Sequence, residues 1–159
     1  MTMQLIRESE TLKILLIEDD NAHAKILSRT IQSGGHTNYI ERATDGEEAF
    51  SLLNRLHHQG PLALPDIILL DLKLPKISGI EILRQLKDNK KFCFIPVIIL
   101  TTSNAQKDKS LAYQLNANSY LVKPDNPNEL KIMVSDLIKY WGTWNQTVEL
   151  LNHRESHAN

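Results

Sequence analysis

The sequence predicts an α/β fold in which a five-stranded parallel sheet is covered on both faces by five helices. Three observations carry this. Short apolar runs rich in Ile, Leu and Val alternate along the chain with segments of helical period. Two of the runs, Asp66-Ile-Ile-Leu-Leu70 and Pro96-Val-Ile-Ile-Leu100, are continuously apolar after their first residue, as a strand buried on both faces must be. Strict alternation of strand and helix is the pattern of right-handed crossovers between parallel strands.

Leu12-Lys-Ile-Leu-Leu-Ile17 reads as the first strand. Ala22 to Ser33 follows as a helix with Ala24, Leu27 and Ile31 on one face, and Gly34-Gly35 end it. Asn38-Tyr-Ile-Glu-Arg42 is a second, less apolar strand. Asp45-Gly-Glu-Glu48 opens a helix whose stripe is Ala49, Leu52, Leu53 and Leu56, and His57 to Pro65 reads as a loop. The third strand is Asp66 to Leu70. Ser78, with Glu81 three residues on, caps a third helix that runs to Asp88. Pro96 to Leu100 is the fourth strand, Asn104 to Asn116 a fourth helix with a polar start, Ser119-Tyr-Leu-Val122 the fifth strand, and Asn128 to Trp141 the fifth helix.

Composition sets the bounds. The chain has 159 residues, 42% hydrophobic and 23% charged, which suits one globular domain able to bury a core without disulfides or structural metal. Lys and Arg number 18 against 19 Asp and Glu, a formal net charge of −1, which excludes a generally basic nucleic-acid binder. The single cysteine, Cys93, excludes an internal disulfide and a cysteine-based zinc site; flanked by Phe92 and Phe94, it reads as a packed thiol. No apolar run reaches the roughly 18 residues of a membrane span, and Met1 to Glu10 lacks the apolar stretch of a signal peptide. The expectation is a soluble, cytoplasmic protein that does not bind membrane.

In open parallel sheets, ligands bind beyond the carboxyl ends of the strands. There the sequence puts Glu18-Asp19-Asp20, Asp71, Thr101-Thr102-Ser103 and Lys123-Pro124. A carboxylate at the edge of an apolar core is costly unless paired. Two carboxylates about 4 Å apart repel by about 4 kcal/mol at an effective dielectric of roughly 20. Crowded acids therefore call for a hard divalent cation such as Mg²⁺, held by oxygen. A cation, an ammonium and a hydroxyl gathered beside one Asp suit added negative charge there, and an Asp carboxylate can serve as a phosphoryl-accepting nucleophile.

The chain resembles the receiver domains of two-component response regulators. The likeness rests on Ile14-Leu-Leu-Ile-Glu-Asp-Asp20, Asp45-Gly46, Pro65-Asp-Ile-Ile-Leu-Leu-Asp-Leu-Lys-Leu-Pro75 with Gly79, Ile95 to Thr101, and Tyr120-Leu-Val-Lys-Pro124. Thr101 follows Asp71 by 30 residues and Lys123 follows Thr101 by 22, the family's spacing. The longer loop before Pro65, Leu74-Pro-Lys76, Leu100-Thr-Thr-Ser103 and Tyr140-Trp141 resemble the stand-alone phytochrome-associated regulators. The resemblance implies a flavodoxin-like doubly wound sheet of strand order 2-1-3-4-5. Residues 1–11 would be an N-terminal extension, 12–141 the receiver and 142–159 a tail. Asp71 is implied as phosphoacceptor, with Mg²⁺ held by the carboxylates of Asp19 and Asp71, the backbone carbonyl of Lys73 and, through water, Glu18. Thr101 would hydrogen-bond the phosphoryl group and Lys123, ahead of a cis bond to Pro124, would neutralise it. Tyr120 would be the switch aromatic.

Implied partners are a sensor histidine kinase, phytochrome-type among the candidates, or a phosphotransfer protein. A homodimer through helix 4, strand 5, helix 5 and the tail is a further implied assembly. About 18 residues after Trp141 are too few for a DNA-binding output domain. The protein would catalyse only its own phosphorylation and dephosphorylation. The alternative is a phosphorylation-independent, receiver-like interaction module. A haloacid-dehalogenase-like phosphohydrolase needs a second Asp where Lys73 stands, and no Gly-rich phosphate cradle follows the first strand. His57-His58, His153 and His157 read as surface residues. Trp141 to Leu151 either folds back on the last helix or joins a partner subunit.

Overall fold

The structure, a computed structural model, describes residues 12–33 and 38–146. Its elements are β1 (Lys13–Ile17), α1 (Asn21–Gln32), β2 (Tyr39–Ala43), α2 (Gly46–Gln59), a 3₁₀ turn (Pro61–Ala63), β3 (Ile67–Leu70), α3 (Gly79–Asp88), β4 (Val97–Thr101), α4 (Gln106–Gln114), β5 (Ser119–Val122) and α5 (Pro127–Lys139), followed by a widened helical turn (Tyr140–Trp144). All strand pairs are parallel, in the order β2-β1-β3-β4-β5. The expected fold class and strand order are therefore borne out.

Alternation within β3 divides the core. Ile68 and Leu70 face one cluster with Leu53, Ile82, Leu83 and Phe92, under α2 and α3. Ile67 and Leu69 face the other with Leu27, Ile31, Val134 and Trp141, under α1 and α5. β3 is thus apolar throughout because each of its faces meets helices.

Helices α1, α2, α3 and α5 begin where short polar side chains satisfy the first free N–H groups; α4 begins after Ala105 without one. Asp20 accepts from His23 N at 2.9 Å, Asp45 from Glu48 N at 2.9 Å and Ser78 from Glu81 N at 3.3 Å. Asn126 caps α5, with Pro127 at the first helical position, where its missing N–H costs nothing. Helix α4 is shorter than expected, because Asn104 and Ala105 stay outside it and Asn116, at φ 66°, turns left-handed after its end.

Three expectations are corrected. His57, His58 and Gln59 belong to α2 rather than to a loop. The extra residues before β3 thus lengthen a helix, whose last carbonyls favour basic side chains; the His57 ring meets Phe92 edge-on at 6.2 Å. Cys93 is exposed rather than packed, because the turn in which Phe92 and Cys93 both donate to Asn89 O sends Phe92 and Ile95 inward and Cys93 outward. Every peptide bond among the described residues is trans, Lys123–Pro124 included. The X–Pro isomers differ by only about 0.5–1 kcal/mol, so surroundings choose between them.

Trp141 is buried against the α1–α5 side of the core, whereas Trp144 is exposed. The chain thus continues past α5 with one tryptophan seated and one outside. Gly34, Gly35, the 1–11 extension, Leu150, Leu151, His153 and His157 lie outside the described residues.

Candidate functional site

Parallel register brings the strand ends to one rim. Ile17 pairs with Leu70 and Thr101 with Val122. Asp71 N donates to Ile17 O at 3.1 Å and Lys123 N to Thr101 O at 2.7 Å, so the ladders carry one residue past β3 and β5. Glu18, Asp71, Thr101 and Lys123 stand side by side as a result. They are the buried polar or charged residues of the described chain, at 1%, 7%, 0% and 5% exposure.

Lys123 Nζ lies 2.7 Å from Glu18 Oε1, 3.4 Å from Asp71 Oδ2 and 3.2 Å from His23 Nδ1. An ammonium has three protons and no lone pair. Each of its three protons has one acceptor here, so His23 Nδ1 accepts and the ring proton is assigned to Nε2. The 3.2 Å approach of His23 Nδ1 to Glu18 Oε1 is then two acceptors gathered on one cation. Asp71 Oδ1 accepts from the backbone N–H of Lys73 at 3.2 Å, while the Lys73 side chain is exposed.

Glu18 and Asp71 titrate as a pair. Burial and the neighbouring Asp71 carboxylate push Glu18 from its ordinary 4.5 up to about 8. Burial pushes Asp71 upward too, but Glu18, the Lys123 ammonium, the Lys73 N–H and the Thr101 hydroxyl outweigh it and hold its carboxyl below the usual value. Burial thus favours the neutral form of Glu18, and the donors around Asp71 favour its ionised form.

Oxygen atoms of Glu18, Asp19 and Asp71 lie within 4.8 Å of one another, with Asp19 on the exposed side. Glu18 Oε2 is buried without a hydrogen-bond partner. A buried oxygen of this kind normally has a partner, and a hydrated cation beside it would supply one. An all-oxygen donor set with an open side suits a small hard divalent ion that keeps water. The acidic cluster is thus compatible with a divalent metal.

Tyr120 stands apart from this contact group. Its hydroxyl donates to Ser103 O at 3.0 Å, so the ring spans from β5 to the loop that follows Thr101 at the end of β4. Ser103 Oγ in turn donates to Asp108 Oδ2 at 2.5 Å, in the first turn of α4.

Sequence reading missed two residues. His23 reaches the site from the first turn of α1, and its signal was position: three residues after the capping Asp20, a side chain returns to the strand end. Arg42, in the edge strand β2, donates from Nε to Glu18 O at 2.9 Å and from one terminal nitrogen to Asp19 O at 3.2 Å and Asn21 Oδ1 at 2.9 Å. Nothing in the local pattern of β2 signals this reach.

A sheet of order 2-1-3-4-5 with an acid cluster, a hydroxyl and a lysine at its carboxyl rim defines a phosphorelay signalling domain, and comparison with known proteins agrees. The model of the response regulator receiver domain matches residues 14–135. The chain belongs to that family. It is 44% identical over 134 residues to the probable methanogenesis regulatory protein FilR2 of Methanothrix harundinacea, covering 84% of this chain and 86% of that protein. It is 34% identical to response regulator Rcp1 of Synechocystis, over 80% of this chain and 87% of that one. Among solved structures, the Mn²⁺-bound form of Rcp1 superimposes with a TM-score of 0.79 at 32% identity, over 86% of this chain and 99% of that chain. The phosphorylated cyanobacterial phytochrome response regulator RcpA superimposes at 0.81 and 29% identity, over 87% and 99%. Among the described residues, no helix is long and apolar enough to cross a membrane.

Proposed function

We propose that Asp71 accepts a phosphoryl group, with Mg²⁺, from a sensor histidine kinase or phosphotransfer protein, and that the change is read by protein partners. The observation that carries this is the buried Lys123 ammonium, held between Glu18 and the ionised Asp71 beside a buried Thr101 hydroxyl. Asp19, Asp71 and the Lys73 carbonyl would hold the cation, with Glu18 acting through water. When bound, the cation supplies positive charge that offsets the acid cluster and the incoming phosphoryl oxygens.

An Asp71 carboxylate oxygen forms a P–O bond as the P–N bond of the donor phosphohistidine breaks, and the bonding pair returns to the imidazole nitrogen. Lys73 N–H fixes the Asp71 carboxyl through Oδ1, which orients the nucleophile. Lys123 and the Thr101 hydroxyl then pair with the transferred group. Movement of Thr101 would free the loop through Ser103, the carbonyl that Tyr120 holds, so Tyr120 is the reporter of that movement. The receiver is assigned to residues 12–141, with a homodimer through α4, β5, α5 and the tail as one output. A phytochrome-type kinase enters as a candidate donor through the likeness to RcpA.

The test is intact mass after incubation with acetyl phosphate, with and without Mg²⁺. Expected is a Mg²⁺-dependent gain of one phosphoryl group that Asp71→Asn abolishes with the fold intact. Labelling of that variant at the wild-type rate would put the acceptor elsewhere. No gain in the wild type, from acetyl phosphate or a kinase donor, would make the domain a phosphorylation-independent interaction module.

A further inference from the structure

The turn between β1 and α1 carries two of the three clustered acids, and its backbone presents a problem of hydrogen-bond accounting. Glu18 N is tied to Ala43 O at 3.0 Å, the last rung toward β2, and Asp20 O accepts from Ala24 N at 2.9 Å, the first rung of α1. Between those rungs lie the carbonyls of Glu18 and Asp19, which belong to neither ladder. The Glu18 carbonyl is half-buried and needs a partner, whereas the Asp19 carbonyl lies on the exposed side. Among the described hydrogen bonds, both are taken by one side chain, Arg42, whose guanidinium also holds the Asn21 side chain at the start of α1. A planar fork with fixed donor directions sets the positions of three acceptors relative to one another, which a lysine cannot do.

We propose that Arg42 is a positioning residue for the cation site: it acts on the backbone of Glu18 and Asp19, and so fixes where their carboxyl groups stand. This rests on the metal-dependent reading above. Arg42 has a second, opposite influence. Its positive charge lies close to a cation site and by itself opposes cation binding. The two influences predict different signs, so the experiment separates them. If charge dominates, Arg42→Met binds a divalent cation more tightly and Arg42→Lys equals the wild type. If positioning dominates, both variants bind more weakly. Loss of groups that orient metal ligands typically costs 10–100-fold in affinity, and an anchor on the backbone belongs at the lower end, about tenfold.

The measurement is titration of the purified chain with Mn²⁺, followed by loss of the free aquo-ion signal in electron paramagnetic resonance. This reads binding directly and needs no phosphorylation. Expected is about tenfold weaker binding in Arg42→Met, a loss that Arg42→Lys does not restore. Asn21→Ala should weaken binding less, and should add little in the Arg42→Met background because both remove the same brace. This milder variant keeps the test valid if Arg42→Met fails to fold, which thermal melting in EDTA shows. Unchanged or tighter binding in a folded Arg42→Met protein overturns the inference, as does full rescue by Arg42→Lys or full additivity with Asn21→Ala. If the wild type itself binds no Mn²⁺, the metal-site reading fails instead.

Discussion

Glu18→Gln should stabilise the metal-free protein, and by an amount that depends on pH. In the folded state Glu18 titrates at about 8, against an ordinary 4.5. A group raised on folding contributes its stability fully below the unfolded value and loses it as pH rises through the folded value. At pH 7 folding must therefore protonate a glutamate that is ionised when unfolded, at 1.36 kcal/mol per pH unit above 4.5, or about 3 kcal/mol. At pH 5 the same cost is about 1 kcal/mol. The substituted glutamine would be neutral at both pH values, and its carbonyl can still accept from the Lys123 ammonium that Glu18 Oε1 holds at 2.7 Å. The assay is urea unfolding in EDTA at pH 5 and pH 7. Glu18→Gln should exceed the wild type by up to about 3 kcal/mol at pH 7, and the gain should shrink to about 1 kcal/mol at pH 5. Saturating Mg²⁺ should narrow or reverse the difference, because a ligand that binds only the folded state stabilises the protein that binds it better. A difference independent of pH, or a less stable variant at pH 7, would refute the neutral form given to Glu18.

Two other substitutions test the frame around this pair. Lys123→Ala leaves the ionised Asp71 without its ammonium, and breaking a buried pair in this way costs about 3–5 kcal/mol; urea unfolding in EDTA should show the loss. The same variant should still take some label from acetyl phosphate but lose any phosphorylation-dependent shift in partner binding or self-association, and a wild-type shift would contradict the role given to Lys123. Gly79→Ala should destabilise although alanine is the better helix former. A Cβ there would stand 2.2 Å from Asp71 O and 2.5 Å from Leu72 Cα, so α3 must move away from the strand end. A loss of about 1–3 kcal/mol is expected, and an unchanged thermal midpoint would show that α3 yields freely.

The parts legible in the sequence were those whose cause is local or periodic. Ile67 to Leu70 could be read as a central strand because burial on both faces leaves no polar position, and Asp71 stood out because it ends that run. Ser78 and Asp45 marked helix starts through the same short-range hydrogen bonds the structure contains. The end of α2 was not legible, because His57-His58-Gln59 carries no apolar residue to continue the stripe of Ala49, Leu52, Leu53 and Leu56. Cys93 misled because a turn, unlike a strand or helix, does not give successive residues a regular direction. His23 and Arg42 were hidden for a different reason. Each reaches a backbone or ammonium group brought near only by the fold: Arg42 contacts a carbonyl 24 residues away and His23 a lysine 100 residues away.

The long reach of Lys123 also orders events in the life of the chain. It meets Glu18 across 105 residues of sequence and Asp71 across 52. Synthesis delivers the acids first and the ammonium last, and contacts between distant segments form late because the chain between them must first be closed into a loop. Until β5 docks beside β4, a growing or refolding chain has its acid cluster but no lysine among it. The response that Lys123 couples to the acid cluster must therefore wait for the last strand, whatever label the unfinished chain can take.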